Sequence, residues 1–171
     1  MSPVSSRVDR WRTQIYSAED QFSAILNRGG VVDFFGSTIN VPSQRRFGDI
    51  DSVETYIDMV FEIMTSQYPL AGKPRVRVRK GMTRAHYEFN TKTIAIPISD
   101  QWALRETVIL HEYAHHLTAH QYGDTVAAHG REFAATMLVL ISQVISDSAA
   151  LLLRTGYHEA GVPILVQGDT Q

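Results

Sequence analysis

The chain of 171 residues contains no cysteine, and this absence removes several kinds of chemistry at once. Disulfides, cysteine-containing zinc sites, thiol catalysis and iron–sulfur clusters are all excluded. Any metal ion must therefore be held by histidine and carboxylate side chains. A hydrophobic fraction of 44% is sufficient for a packed core, and the length predicts a single domain over residues 1–171.

Long apolar runs and a strong net charge are missing as well. No stretch approaches the roughly 18 apolar residues that indicate a transmembrane helix, and residues 1–12 lack the apolar segment of a signal peptide. We therefore expect a cytoplasmic protein with no membrane partner. The formal net charge of −2 provides no global attraction for nucleic acid or for an anionic membrane.

The spacing of apolar residues predicts an α+β fold. A helical repeat over about residues 8–27 predicts an N-terminal helix that two glycines terminate. The β-rich residues 31–39 are expected to form one strand. Asp51, followed three residues later by Glu54, fits a capping-box pattern and predicts the start of a second helix.

Apolar residues then alternate with a period of two over about 74–98, which predicts a small three-stranded antiparallel meander. A further helix is predicted over about 101–121, with Ser99-Asp100 as its cap. C-terminal helices are predicted over about 130–156, where a glycine stops the last one. We therefore expect a small antiparallel sheet packed on helices, with the helix of 101–121 following the last strand.

That helix contains His111-Glu112-Tyr113-Ala114-His115, an H-E-x-x-H pentad. Histidines four residues apart project from one face of a helix, so both can reach a single zinc ion at about 2.0–2.1 Å. Glu112 lies beside them and can accept a proton from the attacking water. The neighbouring residues are apolar, which indicates a buried helix rather than a wet surface. The pentad predicts a zinc-dependent hydrolase of the peptidase type.

A catalytic zinc needs a third protein ligand and one open position. His116 and His120 face other sides of the helix and are expected to be solvated surface residues. His129, fourteen residues beyond the pentad, is the favoured ligand, because a loop that folds back would place it opposite the first pair. Glu132, in the first turn of the following helix, is the rival candidate.

The order H-E-x-x-H followed by H-G-x-x-F resembles the SprT-like family of zinc metalloproteases. The match lies within residues 104–133 and comprises His111, Glu112, His115, His129, Gly130, Glu132 and Phe133. The chain also resembles a group of uncharacterised metallohydrolases of actinobacteria and their phages. The resemblance implies a zincin-like fold and a Zn²⁺ cofactor held by His111, His115 and His129, with Glu112 as the general base. SprT-like proteins often carry a cysteine-based zinc ribbon; its absence here weakens the case for DNA-dependent proteolysis.

Other functions stay open at this point. One alternative is a non-proteolytic, zinc-containing binding or regulatory module, associated with nucleic acid or phage; another is a non-peptide amidohydrolase. A peptide or protein is the expected partner, bound as an added strand at an edge formed by residues 92–98 or 75–80. The oligomeric state is not predicted. Candidate donors to the developing oxyanion are Tyr122, Tyr157 and His158, although packing or exposure is favoured for each.

One basic cluster stands out in the otherwise balanced composition. It consists of Lys73, Arg75, Arg77, Arg79, Lys80 and Arg84. Alternation places three of the arginines on one face of a strand, where they could contact phosphates or an acidic protein. A solvated sheet face that discourages aggregation is the favoured interpretation, so nucleic acid is only weakly supported as a partner.

Overall fold

The computed structural model describes residues 8–81, 84–99, 101–166 and 168. Within these ranges the chain forms five helices and five strands, which confirms the predicted α+β class. In chain order they are α1 (Arg12–Arg28), β1 (Gly30–Phe34), β2 (Ser37–Val41), α2 (Ile50–Met64), β3 (Arg75–Val78), β4 (His86–Glu88), β5 (Thr93–Ile96), α3 (Glu106–Tyr122), α4 (Arg131–Val144) and α5 (Asp147–Glu159). None of these helices is both long enough and apolar enough to cross a bilayer.

Helix α1 presents one buried face to the core. The apolar residues of this face are Ile15, Ala18, Phe22 and Leu26. The helix begins four residues later than predicted, because Val8 is 79% exposed and does not extend the buried stripe. Gly29 ends it with a φ of +62°, and a Cβ atom at this position would lie 2.4 Å from the Oγ atom of Ser43. Glycine is therefore required where the chain turns away from α1.

Residues 30–41 form a hairpin, so the prediction of one strand over 31–39 is wrong. Strands β1 and β2 are antiparallel, with Phe34 opposite Ser37. Phe35 and Gly36, between them, both have positive φ angles, of 50° and 80°. Two consecutive positive φ angles are typical of a two-residue type I′ turn, which reverses the chain where a bend within one strand was expected.

The N-cap of helix α2 lies two residues earlier than predicted. Asp49, rather than Asp51, is the N-cap; its carboxylate accepts the backbone N–H of Ser52, and the Ser52 hydroxyl lies 3.3 Å from the N–H of Asp49. This reciprocal arrangement is a capping box with serine at the third position. The buried face of the helix follows the predicted periodicity and consists of Val53, Tyr56, Ile57, Val60 and Met64.

The sheet has the order β3–β5–β4, and the predicted antiparallel meander is wrong in one pairing. Strand β4 is antiparallel to β5, but β3 is parallel to it, with Val76 opposite Ile94. Every residue of β5 is buried, whereas β3 and β4 each expose part of their length. A strand that is buried on both faces takes the central place, so β5 lies between the two strands that precede it in sequence.

The motif helix α3 begins at Glu106, later than the predicted 101, and its N-cap Arg105 makes no side-chain capping bond. Of the predicted cap Ser99-Asp100, the aspartate lies outside the described residues. Helix α5 continues past the predicted stop at Gly156, where a Cβ atom would lie 3.7 Å from that of Ala18. This glycine lies at a close approach of α5 to α1 instead of ending the helix.

The arrangement of helices brings distant parts of the chain to α3. Helix α3 packs against α4, β4 and β5, while α1 packs against α5. A cluster of buried apolar side chains links these elements, with Leu110 and Tyr113 of α3 at most 1% exposed. From its first residue to Thr118 nearly every side chain of α3 is buried. The pentad therefore lies inside the molecule, as its apolar neighbours predict.

Candidate metal centre

The two histidines of the pentad lie one turn apart on the same side of α3. The ring centroids of His111 and His115 are 4.9 Å apart, and the two residues are only 3% and 7% exposed. Because the helix fixes the spacing of its own side chains, this part of the site is set by local structure alone.

The third histidine of the predicted set comes from the segment before α4. His129 is 5% exposed, and its ring centroid lies 5.3 Å from that of His111 and 4.8 Å from that of His115. One ring nitrogen from each of the three histidines lies within 4.8 Å of the others, close enough for all three to bind one metal ion. The rival candidate Glu132 is not part of this cluster, and its carboxylate instead accepts a hydrogen bond from Arg131 at 3.1 Å.

Two carboxylates that the sequence analysis missed contact the Nδ1 atoms of His111 and His129, the ring nitrogens that face away from the centre of the cluster. The Nδ1 atom of His111 lies 2.6 Å from Glu19 Oε2, and the Nδ1 atom of His129 lies 2.8 Å from Asp9 Oδ2. An ionised carboxylate can only accept a hydrogen bond, so each Nδ1 carries a hydrogen, and Nε2 is the nitrogen of each ring that is left to bind a metal ion. Carboxylates commonly orient metal-binding histidines in this way.

The Nε2 atoms of the same two histidines face each other at the centre of the cluster. His111 Nε2 and His129 Nε2 are 3.3 Å apart. Two nitrogens at zinc-like bond lengths in a tetrahedral site lie about 3.3–3.4 Å apart, so the observed separation fits a shared ion. The identity of the donor atoms and their spacing therefore fit a metal ion.

Aromatic rings enclose the three histidines. Phe133, which is fully buried, contacts all three rings at centroid distances between 4.6 and 5.2 Å. The Tyr16 ring stacks on His111 at 5.0 Å with an interplanar angle of 25° and lies 5.2 Å from His129. These contacts restrict rotation of the imidazoles and exclude water from their faces.

The pKa values of the three histidines diverge because their surroundings differ. Burial opposes the charged form of His111, but the neighbouring Glu19 carboxylate outweighs it and raises the pKa above the usual value. Burial holds the pKa of His115 well below its usual value, and the charges on His111 and His129 add to that effect. Burial likewise lowers the pKa of His129. His115 and His129 are thus neutral near pH 7, the form in which imidazole binds metals.

Glu112 lies beside this cluster and is only 4% exposed. Burial raises the pKa of its carboxyl, whereas His111 and a hydrogen bond from the backbone N–H of Tyr87 act in the opposite direction. Glu112, His115 and His129 line one cleft of about 590 Å³, together with Tyr16. A substrate in this cleft would therefore meet the carboxylate and the imidazoles together.

The remaining histidines of α3 lie outside the cluster, and the structure corrects one prediction. His116 is 1% exposed, not solvated; it interacts with the Tyr87 hydroxyl at 2.9 Å and with the Gly72 carbonyl oxygen at 3.1 Å. It was expected at the surface because it points away from His115, but this side of α3 faces the sheet. His120 is exposed, as predicted.

None of the three candidate oxyanion donors from the sequence lies in the cleft. Tyr157 is fully buried and donates to Glu19 at 2.5 Å, so it supports the carboxylate behind His111. Tyr122 lines a separate groove, and His158 is exposed on α5. Tyr16, which sequence reasoning missed, is the tyrosine of α1 that lines the cleft.

Comparisons of the chain with protein families, with curated proteins and with solved structures find no match. The resemblance to the SprT-like family and the zincin-like fold therefore stay predictions that rest on the residues of 104–133.

Proposed function

We propose that the chain is a zinc-dependent hydrolase that cleaves peptide bonds. The observation that carries this proposal is the convergence of three buried imidazoles, two of them backed by carboxylates, beside the buried carboxylate of Glu112. A purely structural metal site has no use for a carboxylate that lines the cleft without belonging to the ligand set. The arrangement supports a hydrolytic role, since it places a possible base beside the three imidazoles.

His111, His115 and His129 would hold the ion, which makes the donor set entirely imidazole. Imidazole suits zinc, copper, iron and nickel, and three protein ligands with an open position are typical of catalytic zinc. When bound in such a site, zinc lowers the pKa of water and polarises a carbonyl group. Glu19 and Asp9 hold the Nδ1 atoms of His111 and His129, so that the Nε2 atoms of these two rings are directed to the place where the ion would be held.

Glu112 is assigned the role of general base. It accepts a proton from the attacking water and delivers it to the nitrogen of the leaving amine. Tyr16 lines the same cleft and stacks on His111, so we assign its hydroxyl as the donor to the developing oxyanion.

The substrate is proposed to bind as an extended strand along β4. Of the two sheet edges expected from sequence, residues 92–98 do not form one, because β5 is the central strand. The two edges are β3 and β4, and residues His86 and Tyr87 of β4 line the cleft. An extended peptide that pairs with β4 would pass the imidazoles with its backbone fixed in direction.

Zinc binding is tested first, independently of activity. We expect the purified, zinc-loaded protein to contain one zinc ion per chain by elemental analysis. His129→Ala should lose most of this zinc, because it removes one of three ligands. The matched control Glu132→Ala alters a neighbouring residue outside the cluster and should retain zinc. If Glu132→Ala loses the metal and His129→Ala keeps it, the proposed ligand set is wrong.

Activity is tested with Glu112→Gln, which keeps the shape of the side chain. We expect this variant to retain zinc and to cleave a library of internally quenched peptides at least about 100-fold more slowly, the lower end of the usual effect of a general base. Unchanged turnover would remove Glu112 from the mechanism. A zinc-loaded wild-type protein that cleaves no peptide would favour the binding module or the non-peptide amidohydrolase.

A further inference from the structure

Three arginines line the cleft that holds the histidine cluster. Arg12 comes from α1, and Arg79 and Arg84 come from the segment between β3 and β4. The carboxylates that line the same cleft are Asp9 and Glu112. Asp9 is engaged by His129, and Glu112 is buried beside the pentad.

These arginines differ from others of the chain in their partners. Arg45, Arg77 and Arg131 each form an ion pair with a glutamate. Within the described ranges, no carboxylate lies within ion-pair distance of Arg12, Arg79 or Arg84. Among the residues that the structure describes, no acidic side chain therefore neutralises their charges.

Aromatic contacts hold two of the guanidinium groups next to the histidines. Arg84 lies 5.2 Å and Arg12 lies 5.7 Å from the centre of the Tyr16 ring. Because Tyr16 itself stacks on His111, the cations lie only one aromatic ring away from the cluster. Arg79 donates from Nη1 to the Arg84 carbonyl oxygen at 2.8 Å, which ties the third arginine to the same place.

The cleft as a whole therefore favours negative charge. Its three guanidinium groups outnumber its two carboxylates, and a bound divalent cation would increase the excess of positive charge. Charge-assisted hydrogen bonds from arginine to a carboxylate are strong and are often bidentate. A carboxylate of the substrate would find guanidinium groups that are already positioned and that no acidic side chain of the described residues pairs with.

The arrangement suits a single carboxylate better than a nucleic acid. Binding to a nucleic acid needs cations spread along many phosphates, whereas Arg12 and Arg84 lie against one tyrosine ring and Arg79 bonds to Arg84. Proteins that bind single-stranded nucleic acids also provide several free aromatic faces on which successive bases stack. Tyr16 offers no free face, because His111 stacks on it and the two arginines lie against its ring, which leaves Phe89 as the exposed aromatic side chain among the described residues of the cleft.

We infer that the cleft selects peptide substrates that carry a carboxylate near the bond to be cleaved, with Arg84 as the main contact and Arg12 and Arg79 beside it. This inference rests on the proposed function and names the substrate class of the same site. The carboxylate comes from an aspartate or glutamate side chain or from the C-terminus of the peptide.

Binding is measured with the zinc-loaded Glu112→Gln protein, so that no peptide is consumed. Fluorescently labelled, amidated alanine-rich peptides carry one glutamate, which is moved along the sequence, or a glutamine in the same place. We expect at least one glutamate position to bind about 10- to 100-fold more tightly than its glutamine counterpart. A neutral peptide with a free C-terminal carboxylate is compared with its amide. Tighter binding of the free acid would identify the C-terminus of the peptide as the source of the carboxylate.

When Arg84→Gln is introduced into the Glu112→Gln protein, the preference for the peptide with a carboxylate should be abolished. The matched control is Arg75→Gln, which removes an exposed arginine of β3 that does not line the cleft. It should leave the preference unchanged. The preference should also weaken with added salt, since exposed charges are screened. Charge reversal by Arg84→Glu gives a second readout, a gain in binding of the corresponding lysine peptide.

Equal binding of glutamate and glutamine peptides, or equal losses in the Arg84 and Arg75 variants, would overturn the inference. So would tighter binding of a single-stranded DNA oligonucleotide that depends on the same arginines. Its failure is distinguishable from that of the proposed function. A protein that binds zinc and cleaves neutral peptides without preference disproves only the inference, whereas a protein that binds no zinc disproves the function.

Discussion

Glu19 is the residue whose substitution tests the metal centre most directly without touching a ligand. Its Oε2 atom accepts from His111 Nδ1 at 2.6 Å, and its Oε1 atom accepts from the Tyr157 hydroxyl at 2.5 Å. Glu19→Gln keeps the volume and one acceptor for His111. The new amide N–H₂ faces Tyr157, whose hydroxyl can rotate and accept. The substitution therefore removes the negative charge behind His111 while it preserves the packing.

The size of the effect follows from the burial of this pair. Loss of an outer carboxylate typically weakens metal binding about 10- to 100-fold, which corresponds to about 1.4–2.8 kcal/mol. Glu19 is 7% exposed, so solvent screens its charge little and the bond to His111 is charge-assisted. We therefore expect a loss near 100-fold. Asp9, whose side chain is 30% exposed, should show a loss nearer 10-fold on Asp9→Asn.

Zinc affinity is measured by competition with a chromogenic chelator, and circular dichroism verifies that each variant is folded. Tyr157→Phe is the matched control, because it removes one hydrogen bond to Glu19 but leaves the carboxylate on His111. We expect its zinc affinity to stay within a few-fold of wild type. An unchanged affinity in folded Glu19→Gln would refute the argument that this charge orients His111. An equal loss in Tyr157→Phe would indicate packing rather than charge.

Two further predictions concern stability. The Thr118 Oγ1 atom is buried and has no hydrogen-bond partner among the described residues, so Thr118→Val should be neutral or raise the free energy of unfolding by about 1 kcal/mol in urea denaturation. Thr136→Val, which removes a 2.9 Å bond to the Glu132 carbonyl oxygen, should lower it by about 1 kcal/mol, and the opposite order would contradict the argument. Burial and the charge of Glu106 raise the pKa of Tyr56. Its protonated form is therefore favoured by folding, and stability should fall above about pH 10, where the unfolded tyrosine ionises. Urea midpoints across that range should fall less steeply in Tyr56→Phe, and an equal fall would exclude Tyr56 as a cause.

The parts of the site that sequence could predict are those set by local geometry. His111 and His115 meet because a helix places residues four apart on one face, whatever the rest of the chain does. His129 was predicted as the third ligand because it lies in a second motif near the start of the next helix. It lies in the cluster, as expected. Helix α2 is another example, since its buried face follows the 3.6-residue period while only the cap differs by two residues.

Pairings between distant residues were not predictable in the same way. Asp9 and Glu19 lie 120 and 92 residues before the histidines that they hold. A charged residue at the Glu19 position of an otherwise apolar stripe does indicate a buried partner, because an unpaired buried charge is costly. No periodicity identifies that partner. The parallel pairing of β3 with β5 was missed for the same reason, since alternation indicates faces but not neighbours or direction.

His116 illustrates a different limit. Sequence reasoning placed it correctly on a side of α3 away from His115, and then assumed that a polar residue on that side meets water. In the fold, the sheet covers one side of α3 and α4 covers another. His116 lies on the side that faces the sheet, so it needs a buried hydrogen-bond partner. Tyr87 supplies such a partner, because its hydroxyl lies 2.9 Å from His116 Nδ1.

The metal centre depends on the docking of α1 as much as on the motif helix. Two of its three imidazoles are oriented by residues 9 and 19, and without them two buried N–H donors would lack partners. The docking itself is completed by α5, through Gly156 against Ala18 and Tyr157 on Glu19. The fold therefore orders the three imidazoles without an ion. Because an ion that binds only this ordered arrangement would stabilise it in turn, we expect metal binding and the docking of α1 to be thermodynamically linked.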